Sequence, residues 1–328
     1  MSEPVAGAPV VVLNQLGTAA GRDIAALDPR VQVLDDPDSL PWTRAREADI
    51  LLTAPRHGWR EAPRTAPAGW PGRLRWVHAA SVGMDYFPPW LFEVPQVSCA
   101  RGVAAVPIAE FVFAALLAHS RPLSDCQVTG PAPWRSTFGR VSAAPPALLA
   151  GQTLGLVGFG AIGQAVARRA LAFDMRVLAL RRSQAPSDVG GVQAAASLHE
   201  VMAESDHVVL ALPITPATHH MIDAAALAQA RAGLHLINIA RGALVDHDAL
   251  LAALDVGRLS AATLDVTEPE PLPPGHALYT HPRVRLTPHI AWAAGDVVGT
   301  STRKFLGNLA RFLDSQALDD VFDPVRGY

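Results

Sequence analysis

The chain has 328 residues, half of them hydrophobic, and a formal net charge of −3 at pH 7. That length suits two domains with two cores, and the lack of a basic surplus argues against a nucleic-acid partner. Two cysteines, Cys99 and Cys126, are too few for a disulfide framework, and no cluster has zinc-ligand spacing. In chain order, the first hundred residues read as an alternating α/β unit without a cofactor fingerprint. Its strands are predicted at residues 10–13, 31–34, 50–53, 74–78 and 96–99, with proline-rich loops such as 61–72 between them. The apolar start at 9–13 has no basic stretch before it, so it reads as a strand and not as a leader. No apolar run approaches the ~18 residues of a membrane span. A cytoplasmic protein, with no membrane partner and no structural metal, is expected.

A helix is predicted over residues 107–119, with Ile108, Phe111, Val112, Ala115 and Leu116 on its apolar face. It carries the chain into a second domain. A loop rich in Pro, Ala, Gly and Ser is predicted over 121–150. The short apolar run 153–157 then reads as a buried strand, followed by Gly158-Phe159-Gly160-Ala161-Ile162-Gly163 and by helical spacing over 162–173. Strand, glycines and helix in that order make a dinucleotide fingerprint. The glycines permit the tight turn, and the pyrophosphate sits on the helix N-terminus.

The next strand, 176–180, ends in Arg181-Arg182-Ser183. An NAD site normally places an acid here for the ribose 2′-hydroxyl. Guanidinium groups instead hold a 2′-phosphate, so NADP(H) is preferred and NAD(H) remains possible. The plain alternative is a solvated arginine pair.

Further strands are predicted at 207–212, 234–239, 262–266 and 284–287, and an amphipathic helix over 300–315 returns to the first domain. The expected organisation is two doubly wound parallel-sheet α/β domains. A flavodoxin-like substrate domain takes residues 1–103 with 294–328, and a Rossmann nucleotide domain takes 104–293. Lys304 is the only lysine, so a GxxxxGK phosphate loop is impossible and Schiff-base chemistry would rest on that one residue.

Three segments carry the chemistry: 238–246 with Arg241, 264–272 with Asp265, Glu268 and Glu270, and 286–292 with His289 and Trp292. Each sits at a predicted strand end, where ligand crevices of open α/β sheets form. Reducing a 2-keto acid needs a cation for the carboxylate, a proton donor for the carbonyl oxygen and an acid to hold the donor's imidazole.

With these motifs, and with Ala80-Ser81-Val82-Gly83-Met84-Asp85 and Arg101-Gly102-Val103 near the front, the chain resembles the D-isomer-specific 2-hydroxyacid dehydrogenases over nearly its whole length. The resemblance implies that Arg241 binds the substrate carboxylate and polarises the carbonyl, that His289 is the proton donor in reduction, and that Glu270 pairs with it. It places Asp265 and Pro213 at the nicotinamide end, Leu212, Thr218 and Ile239 near the cofactor, and the Val82-Gly83 amides at the substrate carboxylate. It also implies a homodimer and a small 2-keto or 2-hydroxy acid substrate, of the glyoxylate or hydroxypyruvate kind. The alternative of the same fold is a dinucleotide-sensing, corepressor-like binding protein. Glu268 reads as a solvated loop acid, His219 and His220 as helix or loop surface, and Trp134 and Trp292 as core or interface aromatics, with Trp134 a candidate to reach a neighbouring subunit.

Overall fold

The computed structural model describes residues 8–55, 58–121, 123–182 and 189–324. The chain divides into two compact units, residues 1–103 with 294–328 and residues 104–293.

In the first unit, β1 (Val10–Asn14), α1 (Thr18–Leu27), β2 (Val31–Asp35), β3 (Ile50–Thr53), β4 (Trp76–Ala79) and β5 (Gln96–Cys99) build a five-stranded sheet of order β2-β1-β3-β4-β5. All its pairings are parallel, the flavodoxin-like arrangement expected. Strand residues alternate between two cores: Val11, Leu13, Leu51 and Val77 face one, and Val12, Ile50, Leu52 and Trp76 face the other. The C-terminal helix Val297–Leu313 supplies Phe305 and Leu309 to the second core, with Phe305 stacked on Trp76 at 5.0 Å between ring centroids.

The second unit opens with α2 (Ala105–Ser120) and α3 (Pro131–Ala143). There follow β6 (Thr153–Val157), α4 (Ala161–Ala172), β7 (Arg176–Leu180), β8 (Val192–Ala194), α5 (Leu198–Glu204), β9 (His207–Leu210), α6 (Ala224–Ala228), β10 (Leu234–Asn238), α7 (His247–Asp255), β11 (Leu259–Leu264) and β12 (Val284–Leu286). The sheet order is β12-β11-β10-β9-β6-β7-β8, parallel throughout. Counted from β6, this is the doubly wound 3-2-1-4-5-6 order with one strand added at the edge, and it reverses between β6 and β9. Again the strands feed two cores. Leu154, Leu156, Val177 and Val209 pack with α2 and α4, while Leu178, Val208, Leu210 and Leu236 pack with α5, α6 and α7.

Two expectations for residues 105–150 need correction. The segment read as a loop over 121–150 contains the 13-residue α3, which buries none of its residues and leaves Trp134 and Phe138 exposed. Its composition hides it, because Pro131 and Pro133 in the first turn are helix-compatible but look like loop residues. The segment Ala105–Cys126 is also long and apolar enough to cross a membrane by length and composition, contrary to the reading that no such run exists. In this fold the α2 part of it contributes Ile108, Ala109, Val112, Phe113 and Leu116 to the core shared with α4.

Candidate active site

The fingerprint lies at the sheet's switch point. Gly158, directly after β6, has φ 100°, and a Cβ there would stand 2.3 Å from the Ala211 carbonyl oxygen. Only glycine tolerates both that backbone conformation and that approach. Gly163 lies in the first turn of α4, where a Cβ would come 2.5 Å from the Gly158 carbonyl oxygen. Helix and turn can pack this closely only without a side chain. Gly160 is different: it caps α4, is exposed, and a Cβ on it would meet nothing within 4 Å. Ala161, Ile162 and Gly163 open the helix, and their N–H groups have no intrahelical acceptor. An open backbone at a helix N-terminus fits a pyrophosphate.

Arg181 follows β7 directly, half-buried, with its guanidinium carbon 5.9 Å from the Phe159 ring centroid. Arg182 is exposed, and Ser183 lies outside the described residues. Across the switch point, Leu212 and Pro213 follow β9. Thr218 folds back on them, donating from Oγ1 to the Pro213 carbonyl at 2.9 Å and accepting from the Thr215 N–H at 2.8 Å.

The chemistry-bearing side chains sit after β10, β11 and β12. Ile239 is buried at the end of β10. Asn238 organises the loop after it, donating from Nδ2 to the Arg241 carbonyl at 2.8 Å and accepting from the Ala240 N–H at 3.1 Å. A Cβ on Gly242 would stand 2.0 Å from the Thr267 carbonyl carbon. This glycine therefore lets the Arg241 loop lie against the 267–268 backbone, next to Glu270.

His289 Nδ1 lies 3.0 Å from Glu270 Oε2, and the two side chains are 29% and 28% exposed. Glu270 Oε1 accepts from the Thr267 N–H at 3.2 Å. Burial works against the Glu270 carboxylate. The His289 hydrogen bond and charge, the Thr267 amide and the Arg241 charge outweigh it and hold the pKa below the usual glutamate value.

Asp265 has a role that the sequence reading did not see. It is 2% exposed, and both its carboxylate oxygens hold the turn around His289. Oδ1 accepts from Thr287 Oγ1 at 2.6 Å and the Ile290 N–H at 2.9 Å, and Oδ2 accepts from the Ala291 N–H at 2.8 Å. The Asp265 carbonyl accepts from the His289 N–H at 2.8 Å. His289 itself takes φ 56°, uncommon for a residue with a Cβ, and the Trp292 indole donates to its carbonyl at 2.8 Å. No sequence signal marks this clamp, because Asp265 and the 287–291 turn meet only in the fold.

The second unit thus carries the fingerprint, Leu212, Pro213, Thr218, Ile239, Arg241, Asp265, Glu270 and His289 beyond the carboxyl ends of strands of one parallel sheet. Val82 and Gly83 belong to the first unit, in the loop after β4, where Ser81 Oγ donates to the Gly83 carbonyl at 3.1 Å.

A family model described as the NAD binding domain of D-isomer specific 2-hydroxyacid dehydrogenases matches residues 113–291. A glyoxylate reductase of Pyrococcus furiosus is 42% identical over 167 residues, which cover 50% of this chain and 49% of that one. The chain thus spans about half the length of such relatives. Among solved structures, the apo D-mandelate dehydrogenase of Rhodotorula graminis is 26% identical with a TM-score of 0.80, covering 96% of this chain and 97% of the other. An NADPH-dependent glyoxylate/hydroxypyruvate reductase of Sinorhizobium meliloti, in complex with NADP and sulfate, is 26% identical with a TM-score of 0.76 and covers 98% of this chain and 100% of its own. With a family model matching more than half of its residues and a fold shared over almost all of them, the chain belongs to the D-isomer specific 2-hydroxyacid dehydrogenases.

Proposed function

We propose that the protein is an NADPH-preferring reductase of small 2-keto acids, of the glyoxylate or hydroxypyruvate kind, yielding D-2-hydroxy acids. The observation that carries the reading is the His289–Glu270 pair at 3.0 Å, with Arg241 on the adjoining loop. The nicotinamide cofactor, when bound, supplies the hydride. Gly158, Gly160, Ala161, Ile162 and Gly163 would hold its pyrophosphate, Arg181 and Arg182 its 2′-phosphate, and Leu212, Pro213, Thr218, Ile239 and Asp265 the remainder. Two solved relatives support this choice: one is an NADPH-dependent reductase and the other is in complex with NADPH and MES.

Arg241 presents a planar guanidinium that can grip the substrate carboxylate at two points and polarise the neighbouring carbonyl. With Nδ1 turned to Glu270, His289 delivers its proton from Nε2 to the carbonyl oxygen as the alkoxide forms. The ionised Glu270 fixes the ring's orientation and stabilises the imidazolium from which that proton leaves. Val82 and Gly83, in the unit proposed as the substrate domain, would offer backbone amides to a substrate carboxylate. We also propose a cytoplasmic homodimer that uses α3, whose Trp134 and Phe138 stand exposed. Sedimentation at micromolar concentration checks the dimer.

A panel of 2-keto acids assayed with NADPH and with NADH tests the proposal. Turnover of short 2-keto acids, faster with NADPH, is expected. Cofactor binding without turnover of any keto acid would favour the corepressor-like alternative.

A further inference from the structure

The turn after Thr218 sets two histidines side by side. His219 and His220 are both exposed, and their rings stack with centroids 4.0 Å apart and planes 26° apart. Neighbouring side chains in a chain usually diverge. Here His220 takes φ 47°, in the left-handed region, and its N–H is held by the Ala243 carbonyl at 2.8 Å. Both rings then face the loop that follows β11. Glu268 Oε2 lies 3.9 Å from Nε2 of His219 and 3.9 Å from Nε2 of His220.

Those separations are too long for hydrogen bonds. They are close to what a shared ion requires: one ligand atom from each of the three residues falls within 4.8 Å of the others. Zinc binds imidazole nitrogen and carboxylate oxygen at about 2.0–2.2 Å in a tetrahedral site, which puts neighbouring ligand atoms roughly 3.4 Å apart. Each imidazole nitrogen must move about half an ångström nearer Glu268, and the widest gap in the set must close by up to roughly 1.4 Å as the two rings turn out of their stack; exposed side chains have that freedom. The backbones beneath them are fixed. Thr218 Oγ1 bonds back to Pro213 and Thr215, and Thr267 Oγ1 donates to the Pro269 carbonyl at 2.9 Å.

We propose that His219, His220 and Glu268 form a binding site for a divalent transition-metal ion of the zinc type, with three protein ligands and one open position. Two imidazoles and one carboxylate suit zinc or cobalt, whereas magnesium and calcium need more oxygen ligands. None of the three residues belongs to the machinery proposed for hydride transfer, so the ion is not a reactant. It would tie the Thr218 turn to the loop that carries Glu270.

The test uses the full chain stripped of metal with a chelator. Zinc chloride is titrated into it near neutral pH by calorimetry, and cobalt chloride is followed by visible absorption. The site should take up a single ion per chain with low-micromolar affinity, and cobalt should give the intense bands of four-coordination. Affinity should fall at least about tenfold, equivalent to about 1.4 kcal/mol, in both His219→Ala and Glu268→Gln, with circular dichroism showing each variant folded. No saturable uptake by the wild type, or an unchanged affinity in either variant, would overturn the assignment.

Discussion

The carboxylate of Asp265 accepts the Ala291 N–H at 2.8 Å and the Ile290 N–H at 2.9 Å, so a buried acid after β11 fixes the backbone just beyond His289. A side chain assigned by resemblance to the nicotinamide end thus also sets where the imidazole stands. In Asp265→Asn one acceptor becomes an NH2 donor facing an N–H or the Thr287 hydroxyl. Leaving a buried donor unsatisfied costs about 1–3 kcal/mol, and urea unfolding should show a loss of that size. Turnover should fall more than cofactor affinity, because the imidazole loses its fixed place.

Gly160 separates ligand binding from folding. A Cβ there meets nothing within 4 Å, whereas one on Gly158 meets the Ala211 carbonyl oxygen at 2.3 Å in a backbone with φ 100°. Gly160→Ala should therefore leave the melting temperature nearly unchanged and weaken NADPH binding, measured by fluorescence titration. Gly158→Ala should destabilise the protein itself, by about 1–3 kcal/mol or more.

The proposed preference for NADPH rests on Arg181 and Arg182. Combining Arg181→Asp with Arg182→Ala should weaken NADPH far more than NADH. Each lost charge-assisted contact to a phosphate is worth about 1.5–3 kcal/mol. Equal losses for the two cofactors, or a wild type that prefers NADH, would remove the 2′-phosphate reading.

Acid should destabilise the second unit through its buried histidines. His207 and His235 approach at 3.3 Å between Nδ1 atoms, and the His235 ring stacks on His119 at 4.4 Å between centroids. Burial, with the charge of neighbouring His119, lowers the His207 pKa to about 4 and moves that of His235 well below the ordinary value. The unfolded chain then binds more protons than the folded one between the ordinary histidine value of about 6.5 and about pH 4. Stability is full above that window and is lost as pH falls through it. The His207 shift alone corresponds to on the order of 3 kcal/mol. Urea midpoints at pH 7.5 and 5 should differ, and His207→Gln should shrink the difference.

Much of this was legible in the chain because parallel strands buried on both faces read as short apolar runs. The runs at 153–157 and 207–210 are buried at every position. The glycine fingerprint was readable for a related reason, since glycine is required where the backbone must turn sharply. What escaped was set by exposure or by distance. β8 is only three residues, partly or fully exposed, too short to give an apolar run. The strand predicted at 262–266 runs instead over Leu259–Leu264, which puts Asp265 past its end. The clamp on His289 and the contact of Gly242 with Thr267 join segments far apart in the chain, and no local pattern encodes them.

The most direct test of His289 as the proton donor compares NADPH oxidation by wild type, His289→Ala and Glu270→Gln with glyoxylate and hydroxypyruvate as substrates. A proton donor in the transition state is worth about 10²–10⁴-fold. The proton-donor role of His289 predicts a loss of that order in kcat for His289→Ala, a smaller loss for Glu270→Gln, and NADPH binding close to that of the wild type in both. Full turnover by His289→Ala would contradict it.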